Sequence, residues 1–296
     1  MGISDYHSQM RDSQSEFPSI RGLRYHVRTW GNAAHPAFFL LHGWMDVSAS
    51  FQFLVDALQR DWYVIAPDWR GFGLTQWAPG GYWFPDYYGD LDALIDVYRP
   101  GTPVDIVGHS MGGNIVVHYA GARPERVRRV ITLEGLGLAR SNPESAPRRL
   151  IQWLDARHEP PRFRPYESFG ELAERLRKNN ARLTHEKAEF LARHWGRETE
   201  NGTIELRSDP RHKVANPYPF RIEESLAIWR RVTAPVLLVN GKDSHIPGWL
   251  RETPQQLAER KGAFREIREI DIEDCGHMMH HDQPGRVAQV IEEFLG

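Results

Sequence analysis

The feature that most constrains the fold is a succession of short apolar runs separated by amphipathic stretches of helical period. The runs are AFFLL (37–41), WYVIAPD (62–68), VDIVG (104–108), VRRVITLEG (127–135) and PVLLVNG (235–241). Each is too short for a typical helix, and a strand that is apolar on both faces must be covered on both faces. Helices crossing over between parallel strands provide that cover. Segments of helical spacing lie over 48–60, 85–99 and 111–122, and 249–262 and 284–296 follow later, on either side of a further strand, REIREIDIED (265–274). LRYHVRTWG (23–31) alternates instead, as a half-exposed strand does. The chain therefore reads as repeated β-α-β, the α/β class.

The rhythm breaks between residues 138 and 229, where Pro-rich joints (EPPRFRP, NPYPF) alternate with charged amphipathic stretches such as GELAERLRKNNARL. No clean strand is evident there, so this segment is read as a helical insertion, with a core formed by 21–137 and 230–296. Residues 1–20 are polar, lack the apolar stretch of a secretion signal, and read as a fraying tail. Tyr6 stands where an N-myristoylation motif wants Ser or Thr. The NGT at Asn201 matches a glycosylation sequon but is read as chance without a secretion route.

The 296 residues, 41% hydrophobic and 26% charged, suffice for one large domain. A formal net charge of −2 with both signs interspersed gives no sign of steering toward nucleic acid or a membrane surface, so a small-molecule substrate and no nucleic acid are expected. No run is long enough to span a bilayer. The single cysteine, Cys275, excludes an internal disulfide and fits a reducing, cytoplasmic setting. A homo-oligomer is left open.

Chemistry concentrates in DIVGHSMGGN (105–114), where a strand ends, a glycine-flanked turn carries Ser110, and a helix begins. A sharp strand-to-helix turn exposes its serine at the C-terminal edge of the sheet, where open α/β folds collect ligands. Glycines two before and two after leave room for neighbouring backbone. The helix N-terminus favours developing negative charge. Two backbone N–H groups are expected to hold an oxyanion there, that of Met111 after the serine and that of Trp44 in LLHGW, after an earlier strand.

A serine needs a base to accept its proton. Of 14 histidines, His277 in DCGHMMHHDQP follows the last strand, on the same edge as Ser110, and precedes His280 and His281 behind a permissive glycine. No other ligand-like cluster supports a metal in HMMHH, and none is expected. Cys275 reads as a small buried residue. The carboxylate that orients the base has two candidates. Asp243, in VNGKDSHIP after the penultimate strand, is the first choice, and Glu134, in VITLEGLG at the end of the preceding strand, is the alternative. Asp68, in IAPDWRGFG, reads as a residue that orients loops.

Together LLHGW, APDWRGFGLT, GHSMGG, NGKD and CGHMMHHDQP resemble the motif series of the α/β-hydrolase fold superfamily, over nearly all of residues 21–296. LLHGWMDVSASFQFLVDAL and LRKNNARLT are similar to the serine hydrolase-like proteins within it. The resemblance implies a mostly parallel eight-stranded sheet flanked by helices, a helical cap (138–229) inserted after the sixth strand, and a triad of Ser110, Asp243 and His277. Related dehalogenases and epoxide hydrolases carry Asp as nucleophile, so Ser110 argues against both. Some members take the acid from the sixth strand, which keeps Glu134 open. The expected function is a cofactor-free serine esterase acting on a small to medium, largely apolar ester, with Trp153, Phe163, Tyr166, Phe169 and Trp195 available to line the cap. A lactone, amide or C–C hydrolase on the same triad is the alternative. A non-catalytic binder of the same fold is a reading of another class.

Overall fold

The computed structural model describes residues 10–296. Its central sheet has eight strands: β1 (Ser13–Glu16), β2 (Val27–Trp30), β3 (Ala37–Leu41), β4 (Tyr63–Pro67), β5 (Val104–His109), β6 (Val127–Leu133), β7 (Val236–Gly241) and β8 (Ile267–Ile272). Their spatial order is β1-β2-β4-β3-β5-β6-β7-β8. The first two strands pair antiparallel, and β3 to β8 run parallel.

The apolar runs are explained by what lies on each face. On β3, Phe39 and Leu41 join one core with Leu91, Ile115 and Trp229, whereas Phe38 and Leu40 join a second with Leu54 and Ile291. The same split separates Ile106 from Val107 and Leu238 from Val239. Both faces of each central strand are thus dry, and each such side chain contributes about 1.5–3 kcal/mol on burial. α1 (Gln52–Asp56) lies on the second face, and α2 (Phe84–Tyr98) and α3 (Met111–Ala122) on the first.

The insertion after β6 contains α4 (Ala146–His158), α5 (Phe169–Asn179) and α6 (His185–Trp195). It is not purely helical. Gly196–Glu198 and Ile204–Leu206 form an antiparallel pair, and Gly202 at φ 77° turns the chain between them. Asn201-Gly202 is therefore a hairpin turn, a signal the sequon reading passed over. α7 (Ile222–Trp229), expected within the cap, packs on α3 instead. A Cβ on Gly121 would lie 2.1 Å from Ile228 O, and Trp229 Nε1 donates to His118 at 3.4 Å.

Two further expectations change. Residues 13–16, read as tail, form the sheet edge, because a strand whose side chains face solvent needs no apolar pattern. Residues 1–9 lie outside the described residues. The helix expected over 249–262 is split into α8 (Ile246–Leu250) and α9 (Pro254–Gly262) by Arg251 at φ 52° and by Pro254, with Thr253 and Gln256 forming a capping box. α10 (Met279–Asp282) and α11 (Pro284–Leu295) close the chain.

Candidate active site

The parallel strands carry their C-terminal ends to one edge, and the site is built there. β5 stops at His109, Ser110 takes φ 51° and ψ −111°, and α3 starts at Met111. A left-handed φ at a non-glycine residue costs on the order of 1–3 kcal/mol, so surrounding contacts must enforce it. Ser110 N donates to Leu133 O at 2.8 Å, pinning the turn to β6. The glycines permit the approach, since a Cβ on Gly108 would lie 2.3 Å from Gly112 O and one on Gly112 2.1 Å from Leu41 O.

His277, between β8 and α10, reaches this serine. Ser110 Oγ lies 3.0 Å from His277 Nε2, and His277 Nδ1 lies 2.6 Å from Glu134 Oε2. Glu134 sits one residue past β6 at φ 57°, which turns its side chain back into the sheet edge. Its buried carboxylate also accepts from Gly241 N (2.8 Å) and Ser244 Oγ (2.6 Å). Gly241 N occupies Oε1, and Oε2, which takes the Ser244 hydroxyl, has a second lone pair that accepts the Nδ1–H of His277, so Nε2 presents its lone pair to the serine.

Asp243 is not part of this arrangement, contrary to the first choice from sequence. Its backbone N–H donates to Cys275 O at 2.9 Å, but its side chain turns outward, half exposed, to pair with Arg182 of the insertion at 2.7 Å. Of the two strand-end acids, the structure brings Glu134 to His277.

The base loop is held from below. His277 O accepts from His109 Nε2 at 2.8 Å, and Gly276 N donates to Asp282, whose other oxygen accepts from Asn180 Nδ2 of the insertion (both within 2.8 Å). Burial, reinforced by the neighbouring imidazoles of His280 and His277, pushes the His109 pKa well below its usual value. His109 is thus a neutral ring donating from Nε2. Sequence reasoning missed His109, Asp282 and Ser244 as supports. For His109 a signal was available, a polar residue closing an apolar strand that is buried on both faces. His280 and His281 are buried away from the serine. His280 Nε2 lies 3.5 Å from Asp46 Oδ2 and 3.3 Å from Ser50 Oγ. Asp46, His109 and His280 offer ligand-type atoms within 4.8 Å of one another, the one such grouping among the described residues. Burial raises the Cys275 thiol to about 12, so it stays protonated.

The loop after β3 packs against the serine. A Cβ on Gly43 would lie 3.2 Å from Ser110 Cβ, and Met45 takes φ 59° just beyond. Asp68 anchors this loop by accepting from Ser48 N (2.7 Å), Leu74 N (2.9 Å) and His26 Nδ1 (2.7 Å). Burial opposes ionisation of Asp68, but the hydrogen bond and charge of His26 outweigh it and hold the carboxyl well below the usual range.

Trp44 and Met111 both line a cavity of about 800 Å³, which Tyr82, Trp83 and Trp153 also border. Two of the arginines in its wall are paired with carboxylates, Arg70 bidentate on Asp90 (2.6 Å for both bonds) and Arg21 on Asp86 (3.0 Å), whereas Arg157 lies over the Trp153 ring at 5.0 Å. His212 is stacked between Phe72 and Tyr82 at 3.8 and 3.6 Å, and burial lowers its pKa to about 3, so it presents a neutral surface. Of the insertion aromatics, Trp153 lines this cavity. Phe163 and Tyr166 border a separate depression, and Phe169 and Trp195 pack on the insertion's own core.

The sequence profile of the alpha/beta hydrolase family matches residues 38–290. The chain belongs to that family. Among curated alpha/beta hydrolase relatives, a serine hydrolase-like protein of Danio rerio is 28% identical, the alignment covering 97% of this chain and 90% of that protein. A 3-hydroxybutyrate-oligomer hydrolase of Cupriavidus necator is 29% identical over 94% of each. The thioesterase domain from the curacin biosynthetic pathway superposes with a TM-score of 0.85 at 23% identity, covering 95% of this chain and 99% of that one, a likeness of fold. Among the described residues of this hydrolase no helix is long and apolar enough to cross a membrane.

Proposed function

We propose that this hydrolase is a serine esterase that works through an acyl-enzyme, with Ser110 as nucleophile, His277 as base and Glu134 as the acid that orients it. The observation that carries the reading is the continuous chain of hydrogen bonds from Ser110 Oγ to His277 (3.0 Å) to Glu134 (2.6 Å). As Ser110 Oγ attacks the acyl carbon, its proton passes to His277 Nε2, and Glu134 stabilises the imidazolium. The backbone N–H groups of Met111 and Trp44 hold the oxyanion, each worth about 3–4 kcal/mol in the transition state. His277 then protonates the departing alcohol, water takes its place, and the same steps in reverse release the acid and restore Ser110.

The cavity at Trp44 and Met111, with its aromatic border, suits a small to medium, largely apolar ester. A relative named for hydrolysis of 3-hydroxybutyrate oligomers supports ester chemistry. The test is turnover of p-nitrophenyl esters of increasing acyl length by wild type and Ser110→Ala. The expected result is hydrolysis that peaks at short to medium chains and falls by at least about 10,000-fold in the variant. Equal turnover by both proteins would overturn the proposal.

A further inference from the structure

α4 is a helix with one face on the cavity and the other on nothing. Alone among the described helices of eight or more residues, it has no buried residue. Arg149, Trp153 and Ala156 mark the inner side. Arg149 Nε donates to Asn216 O at 3.0 Å, and Trp153 and Ala156 border the cavity. At 3.6 residues per turn, Leu150, Ile151 and Leu154 fall within an arc of about 100° on the opposite side. They are 47%, 58% and 46% exposed. Three large aliphatic side chains left in water on one stripe mark an interaction surface.

Charge selects the occupant. The sequence of α4, APRRLIQWLDARH, holds three arginines against one aspartate, whereas the whole chain is formally −2. Arg157 lies on the flank next to the cavity, over the Trp153 ring at 5.0 Å, and Arg148 lies with Asp155 on the other. An exposed aliphatic stripe on a helix with a surplus of arginine has the make-up of a helix that lies in the plane of a lipid interface. A second copy of the chain would instead bring one arginine-flanked stripe against another. Trp44 and Trp83, which border the same cavity as Trp153, are 51% and 40% exposed.

We propose that α4 docks this protein on an anionic phospholipid surface, with Leu150, Ile151 and Leu154 entering the acyl boundary and Arg148 and Arg157 meeting the headgroups. The docking does not rest on the chemistry at Ser110.

The experiment is co-sedimentation of the full chain with phosphatidylcholine vesicles that contain or lack phosphatidylglycerol. Wild type and Ser110→Ala are expected to pellet alike with the anionic vesicles, and binding is expected to fall as salt rises. Replacing Leu150, Ile151 and Leu154 together by Gln is expected to weaken partitioning at least about tenfold while turnover of a soluble short ester and the melting temperature stay near wild type. Should that variant not fold, Arg148→Glu serves instead, with loss confined to the anionic vesicles. The proposal is overturned if wild type stays in the supernatant, binds neutral vesicles equally well, or sediments in vesicle-free buffer as a dimer that the triple variant dissolves.

Discussion

Replacing Glu134 by Gln exchanges one carboxylate oxygen for an NH₂ group and reverses a tautomer. In the structure Oε1 accepts from Gly241 N at 2.8 Å and Oε2 meets His277 Nδ1 at 2.6 Å and Ser244 Oγ at 2.6 Å. Gly241 N–H only donates, so the glutamine oxygen must stay there and the amide NH₂ must face His277. His277 then accepts at Nδ1 and carries its proton on Nε2, where it can no longer take one from Ser110. Loss of the correct tautomer and of the charge that holds the imidazolium costs about 10,000-fold in kcat, or on the order of 5 kcal/mol. Asp243→Asn breaks only a half-exposed pair with Arg182, worth at most about 1 kcal/mol, and kcat should stay within about twofold of wild type. Steady-state turnover of a soluble p-nitrophenyl ester, with circular dichroism to confirm folding, separates the two variants. The reasoning fails if Glu134→Gln keeps more than about a tenth of wild-type kcat, or if Asp243→Asn is the one that loses orders of magnitude.

Gly112→Ala, whose Cβ would sit 2.1 Å from Leu41 O, should lose about 1–3 kcal/mol or more in urea melts, along with activity, because backbone rather than a flexible side chain opposes it. Trp153→Ala should raise KM about threefold to tenfold with kcat nearly unchanged, since the ring borders the cavity away from the triad. His118 lies buried against Ser225 and Trp229, and burial lowers its pKa from 6.5 to about 4. The unfolded chain therefore binds a proton that the folded chain refuses, so stability is full above pH 6.5 and falls by about 3 kcal/mol as pH drops toward 4. His118→Gln should show a shallower loss over that window in melts followed by circular dichroism.

The parallel sheet was legible because a strand dry on both faces leaves no room for polar residues, and the runs at 37–41, 104–108 and 235–241 all lie on it. The placing of Ser110 and His277 on one edge was legible for a related reason, since Ser110 directly follows β5 and His277 lies in the loop after β8. The acid was harder. Asp243 and Glu134 both stand just past strand ends, and what separates them is a backbone angle, φ 57° at Glu134, together with the donors of Gly241 and Ser244. One signal was present. VITLEGLG sets its carboxylate among apolar residues, where a charge must be paired, whereas GKDSH is polar throughout. The edge strand SQSE and the pair around Asn201-Gly202 escaped because solvent-facing strands carry no apolar alternation. α7 escaped because eight residues of amphipathic helix do not say which neighbour they pack on.

The central claim is that Ser110 is an activated nucleophile, and a fluorophosphonate probe tests it most directly. Folded wild-type protein, incubated with the probe, digested and sequenced by mass spectrometry, is predicted to carry one adduct, on Ser110. That adduct should be absent after heat denaturation and strongly slowed in His277→Ala. An unmodified Ser110 in folded protein, or labelling that survives denaturation unchanged, would contradict the account.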